Sequence, residues 1–131
     1  MDDLVARAHA ARERAYAPYS RFFVGAAVRT DDDRIFDGAN VENASYGLSI
    51  CAERVAAASA VAAGARRIDA IAVVGGSSRP AAPCGACRQF LHEFNPEMLV
   101  VSESPEGGRK QWRLSALLLD AFGPRDLDGS P

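Results

Sequence analysis

Three cysteines constrain this chain more than any other residues do. Cys84 and Cys87 stand two residues apart in Pro83-Cys84-Gly85-Ala86-Cys87, where a loop runs into a predicted helix. That spacing turns both sulfurs to one side, which suits a single zinc ion. It also serves redox disulfides of the thioredoxin type. The redox motif usually follows the first strand of its domain, however, and this one follows the third predicted strand. Cys51 opens the other long predicted helix. At a helix start, unpaired N–H groups and the positive end of the dipole favour thiolate over thiol. A fold in which the two helix starts face each other would gather three thiolates around one cation. An odd number of cysteines cannot close a disulfide framework, and a reducing compartment keeps them as thiols.

The rest of the chain is read around these helices. Leu4, Val5, Ala8, Ala11 and Ala15 recur near helical spacing, which predicts an amphipathic helix over residues 2–16. Phe22 to Arg29 reads as a strand, Asp31-Asp32-Asp33 as a turn, and Arg34 to Asp37 as the returning strand. Gly38 to Ser49 reads as a loop. Cys51 to Ala63 is an alanine-rich helix with Gly64 as its stop. The unbroken apolar run Ile68 to Val74 suits a buried central strand. After a Gly/Ser/Pro loop to Pro83, Gly85 to Phe94 is the next helix, ended by Asn95-Pro96. A strand from Met98 to Ser102, an edge strand from Gln111 to Leu114, a short helix from Ser115 to Ala121 and a tail from Gly123 follow. This order predicts an α/β fold: a three-layer α/β/α sandwich with a mixed sheet of about five strands.

Composition sets outer limits. A chain of 131 residues suits a single domain, residues 1–131, and 48% hydrophobic residues can fill its core. The net charge is −2 and no Lys/Arg run exists to track phosphates, which disfavours nucleic acid as a partner. No apolar stretch approaches the ~18 residues needed to span a bilayer. The acidic start Met1-Asp2-Asp3 lacks the features of a signal peptide. A cytoplasmic protein with no membrane partner is expected.

Only three protein ligands for a metal are evident. His9 sits mid-helix among charges, and His92 faces away from Cys87 by helical geometry, so both read as surface residues. Three ligands leave a fourth position open, as catalytic rather than structural zinc sites do. Glu53, two residues after Cys51, can reach a water there without binding the metal, and can move protons. Read alone, it would only complement the helix dipole. Three thiolates on Zn²⁺ leave a net charge of about −1. Arg54, and Arg88 with Gln89, are the groups available to offset it by hydrogen bonds to sulfur.

With Cys51-Ala52-Glu53-Arg54 and Pro83-Cys84-Gly85-Ala86-Cys87-Arg88-Gln89 in view, the chain resembles the small, three-cysteine, homotetrameric cytidine deaminases. Tyr16-Ala17-Pro18-Tyr19-Ser20-Arg21-Phe22, Val24-Gly25-Ala26-Ala27, Asn40-Val41-Glu42-Asn43-Ala44 and Ala121-Phe122-Gly123-Pro124 extend the likeness over nearly the whole chain. The resemblance implies one zinc per chain on Cys51, Cys84 and Cys87, with Glu53 as proton shuttle. It implies that Asn40 and Glu42 bond the ribose with Tyr46 nearby, that backbone groups of Ala52 and the 49–50 region read the pyrimidine, and that Phe22 and Phe122 pack on the base. One of those rings would come from a neighbouring subunit, making the active sites shared. Ala39, Phe23 and Leu119 depart from what many relatives carry.

The implied reaction is hydrolysis of cytidine and 2'-deoxycytidine to the uridines by zinc-activated water, with release of ammonia, in pyrimidine salvage. Three rivals stand beside it. One is a deaminase of an aminonucleoside antibiotic such as blasticidin S, against which Asn40, Glu42 and Phe122 speak. The others are a non-catalytic zinc-stabilised binding module, which would need a fourth ligand, and a thiol redox protein, which would need no zinc.

Overall fold

A computed structural model describes residues 1–76 and 78–128. Its centre is β3, Ile68–Val74, the apolar run that reads as a central strand. It pairs antiparallel with β1, Gly25–Thr30, and parallel with β4, Leu99–Glu103. The outer strands are β2, Ile35–Ala39, antiparallel to β1, and β5, Arg109–Arg113, antiparallel to β4. The result is a mixed five-stranded sheet in the order β2-β1-β3-β4-β5.

Alternation along the inner strands divides the core in two. Ala27, Ala70, Ala72, Val74 and Val101 meet Leu4, Val5 and Ala8 of α1, Asp2–Arg12. Ala26, Val28, Ile71, Val73 and Val100 face the other way, against α2, Ala52–Ala62, and Leu91 of α3, Gly85–His92. The three layers are therefore α1, sheet, and α2 with α3, because successive strand side chains point to opposite faces. No helix among the described residues is long and apolar enough to cross a membrane.

Helix α2 lies unusually close to the sheet. Its inward face is Ala52, Ala56, Ala57 and Ala60, all fully buried, and β2 meets it with Gly38. A Cβ on Gly38 would stand 2.6 Å from the Ala56 backbone nitrogen and 2.9 Å from Val55 Cβ. Gly64, at φ 103°, ends the helix in the left-handed conformation that a glycine stop requires.

Several boundaries differ from the sequence reading. The first helix ends at Arg12 rather than 16, because the Tyr16 N–H donates to the Asn40 carbonyl and Tyr16 bridges to Val41. The first strand starts at Gly25, three residues later than expected, since Asn40 pins the approach to it. Inside the predicted loop, Tyr46–Leu48 forms a 3₁₀ turn. The short helix α4 is Leu114–Leu117, and the expected tail contains a further helix, α5, Pro124–Asp128. Pro124 at its first turn needs no N–H donor there, and Asp126 Oδ2 accepts from the Gly123 N–H at 2.7 Å. Residue 77 of the predicted loop and residues 129–131 of the predicted tail lie outside the described residues.

Replacing Gly38 by alanine should push α2 off β2. We expect Gly38→Ala to cost ~1–3 kcal/mol, the usual penalty of overpacking. Urea unfolding monitored by circular dichroism measures it, and an unchanged midpoint would show that the contact is not tight.

Candidate metal centre

Cys51 is the N-cap residue of α2 and Cys84 that of α3. Neither helix start carries a side-chain cap, so the first N–H groups of both are left without a capping side chain. Cys87 follows one turn into α3 and is fully buried. The three Sγ atoms lie within 4.8 Å of one another, with Cys51 and Cys84 4.0 Å apart. Zn–S bonds of about 2.3 Å in a tetrahedron place sulfurs about 3.8 Å apart. The donor set therefore fits a zinc ion in both chemistry and spacing. Among the described residues it is the single group of three or more metal-ligating side chains gathered in this way.

Left to each other, three thiols this close cannot all ionise. Hydrogen bonds from Cys87 and then Arg54 hold the Cys51 thiol down to about 5 against its burial. The same hydrogen bond, with burial, pushes Cys87 up. Only a cation lets all three become thiolates together. Neither histidine competes. His9 pairs with Glu103 at 2.5 Å, and His92 packs against Gly123 in the C-terminal segment.

The groups expected to offset the sulfur charge divide. Arg54 reaches a sulfur: Nη2 donates to Cys51 Sγ at 3.8 Å and lies 3.5 Å from the Ser49 carbonyl. Arg88 does not reach a sulfur. It donates to the carbonyls of Pro83 at 2.7 Å and Leu117 at 2.8 Å, tying the cysteine loop to α4. Gln89 also goes elsewhere, its amide nitrogen donating to the Phe122 carbonyl at 2.8 Å. Both side chains lie on the turn of α3 that faces the C-terminal segment, and sequence spacing alone could not distinguish carbonyl from sulfur.

Beside the sulfurs is a cavity of about 220 Å³, lined by Phe22, Val24, Asn40, Cys51, Ala52, Glu53, Val73, Gly75, Ala81, Ala82 and Cys84. Glu53 is 6% exposed. Burial pushes its carboxyl up to about 7, and the Cys51 thiolate adds to the rise. A carboxyl in that range holds and releases a proton near neutral pH. The wall is otherwise mostly apolar, suited to a flat ring.

The remaining candidates are placed less simply. Asn40 lines the cavity, yet both ends of its amide are engaged: Oδ1 accepts from the Val24 N–H at 3.0 Å and Nδ2 donates to the Phe22 carbonyl at 2.8 Å. Glu42 and Tyr46 lie in an adjoining recess with Tyr19, Ser20 and Ser49. Tyr46 is edge-on to Tyr19, with ring centroids 6.1 Å apart. Phe122 is 56% exposed and does not line its own chain's cavity. Phe23, next to Phe22, is also outside it; its carbonyl accepts from Arg12 Nε at 2.9 Å. Sequence reasoning missed Val73, Ala81 and Ala82 as cavity walls, since small apolar residues in a strand and a loop carry no chemical signal.

Comparison with known proteins agrees with this geometry. The family model described as "Cytidine and deoxycytidylate deaminase zinc-binding region" matches residues 1–103. A cytidine deaminase of Halalkalibacterium halodurans is 47% identical over 95% of this chain and 96% of its own. One of Sporosarcina psychrophila is 43% identical over 97% and 94%. The crystal structure of cytidine deaminase from Burkholderia pseudomallei superposes with a TM-score of 0.89 at 53% identity, covering 92% of this chain and 98% of that one.

Purified protein should carry about one zinc per chain. Cys84→Ala should lose most of it, whereas Arg54→Gln, which touches a sulfur from outside, should keep it. Elemental analysis of the folded variants decides. Full zinc occupancy in Cys84→Ala would remove that residue from the ligand set.

Proposed function

Because the chain belongs to the cytidine and deoxycytidylate deaminase family, we propose that it hydrolyses cytidine and 2'-deoxycytidine to uridine and 2'-deoxyuridine, releasing ammonia. The observation that carries this reading is Glu53: a buried carboxyl, poised near neutrality, lining one cavity with Cys51 and Cys84. Cys51, Cys84 and Cys87 hold the zinc. Bound there, zinc supplies Lewis acidity that makes water a nucleophile at neutral pH. Glu53 takes a proton from the attacking water and delivers it to ring N3, then carries the second proton, from the hydroxyl now on C4, to the amino group, which leaves as ammonia. Arg54 draws charge from Cys51, keeping the thiolate cluster from becoming too electron-rich.

The cavity walls orient the base. Phe22 packs on the ring, and the Ala52 backbone faces the pyrimidine. Asn40 and Glu42 contact the ribose, with Tyr46 at the rim. One N–H of the Asn40 amide, and lone pairs of the Glu42 carboxylate, remain for sugar hydroxyls after their internal hydrogen bonds. A carboxylate and an amide at the sugar favour a simple nucleoside over an aminonucleoside antibiotic. With three sulfurs and no fourth ligand grouped with them among the described residues, a closed structural zinc module is disfavoured.

The enzyme acts in the cytoplasm, in pyrimidine salvage, as a homotetramer with shared active sites. Exposed large apolar side chains support the assembly: Phe122, Leu119 and Leu127 toward the C-terminus, and Tyr46 and Leu48 of the 3₁₀ turn. Phe122 has no core of its own chain to enter and covers a neighbour's base pocket.

Two experiments test these statements. Loss of cytidine absorbance should be lowered by at least ~10²–10⁴ in Glu53→Gln that retains zinc; a rate within a few-fold of the parent would reduce Glu53 to a helix-dipole residue. For the shared site, unfolded Glu53→Gln and Phe122→Ala chains are mixed and refolded. In a closed oligomer with random mixing, about a quarter of sites regain both groups, and activity rises above either parent. No rise, in a sample shown to contain hybrids, would place Phe122 in its own chain's site.

A further inference from the structure

Ser20 stands between two groups that the proposed function assigns to substrate, and nothing in that assignment uses it. Its hydroxyl donates to Glu42 Oε2, while the same oxygen accepts the Phe22 N–H at 3.0 Å. Glu42 Oε1 closes the arrangement by accepting the N–H groups of Tyr19 at 3.0 Å and Ser20 at 3.1 Å. The chain turns sharply here. The Arg21 N–H returns to the Ala17 carbonyl at 3.0 Å, and Arg21 adopts φ 60°, a left-handed conformation unusual for a side-chain-bearing residue. A turn of this kind persists only where surrounding bonds hold it. One hydroxyl thus joins the carboxylate in the outer recess to the backbone that aims the Phe22 ring into the inner cavity.

We propose that Ser20 is a positioning residue for the deamination: through its hydroxyl, the Glu42 carboxylate and the Phe22 ring are set relative to each other, so that sugar and base are bound as one unit. This rests on the reading of Glu42 and Phe22 as substrate contacts. The physical basis is the charge-assisted hydrogen bond, which is shorter and stronger than a neutral one and fixes its donor's direction. Ser20 itself is exposed, so its removal leaves the core untouched. Without the hydroxyl, the Phe22 N–H loses its acceptor and the turn relaxes. Substrate must then pay for ordering both walls on binding, which appears in KM rather than in kcat.

The test uses the zinc-loaded enzyme, with zinc content and thermal midpoint measured on each variant. Ser20→Ala should raise KM for cytidine about tenfold while kcat changes by less than about threefold. Ser20→Thr, which keeps the hydroxyl, should restore KM to within about threefold of the parent. In a Glu42→Gln background, adding Ser20→Ala should cost less than about threefold more, because residues acting as one unit are not additive. An unchanged KM in Ser20→Ala, where Glu42→Gln alone raises KM, would overturn the proposal and leave the Glu42 assignment standing. A full tenfold loss in the Glu42→Gln background would overturn it too, since the hydroxyl would then act without Glu42. Glu42→Gln with an unchanged KM would instead strike the sugar-contact reading beneath the proposal.

Discussion

The structure depends on two helix starts meeting at three sulfurs. Cys51 caps α2 and Cys84 caps α3, and their Sγ atoms come within 4.0 Å. The hydrogen bond between Cys51 and Cys87 holds the Cys51 thiol down and, with burial, pushes the Cys87 thiol up, so the three cannot all ionise unaided. A cation resolves the conflict, so metal binding and the packing of α2 beside α3 stabilise each other. Everything that places these helices serves that meeting. The alanine face of α2 and Gly38 of β2 let the helix lie close to the sheet, and Leu91 seats α3 in the same apolar layer.

From that junction the electrostatics of the cavity follow. Glu53 comes two residues past the α2 cap, so it is buried by the same packing that brings Cys51 to the sulfurs. Burial and the adjoining thiolate raise its proton affinity. Arg54, the next residue, turns back toward Cys51 and supplies the positive charge. A single helix start therefore places a cysteine of the three-sulfur cluster, a buried carboxyl and a guanidinium within four consecutive positions, because the first turn of a helix directs these residues to one end. Arg88 works differently: it holds the Pro83 and Leu117 carbonyls, keeping the second cysteine loop in place without touching sulfur.

The cavity walls show a second economy. Asn40 and Glu42 sit just after β2, where they bind the backbone of residues 19–24 on one side and face the cavity or its recess on the other. Buried or half-buried polar groups must find partners, and here the partners form the loop that carries Phe22. Asn40 and Glu42 thus shape the loop that brings Phe22 to the cavity wall.

The sequence by itself determined the periodic and chemical features. The Ile68–Val74 run, the alanine helix with its Gly64 stop and the paired cysteines each carry a local signal, in burial pattern, backbone freedom or ligand spacing. Those signals suffice for the layers of the sandwich and for the metal donors, and the motifs around them suffice for the family. Tertiary structure alone decided where side chains with several options went. It ended the first helix early to pair Tyr16 with Asn40 and Val41, folded Pro124–Asp128 into a helix, and sent Arg88 and Gln89 to carbonyls rather than sulfurs. It also made walls of Val73, Ala81 and Ala82, and bridged Glu42 to Phe22 through Ser20. Each of these outcomes joins groups distant in sequence, and a hydrogen-bond donor chooses among acceptors only once the chain has brought them together.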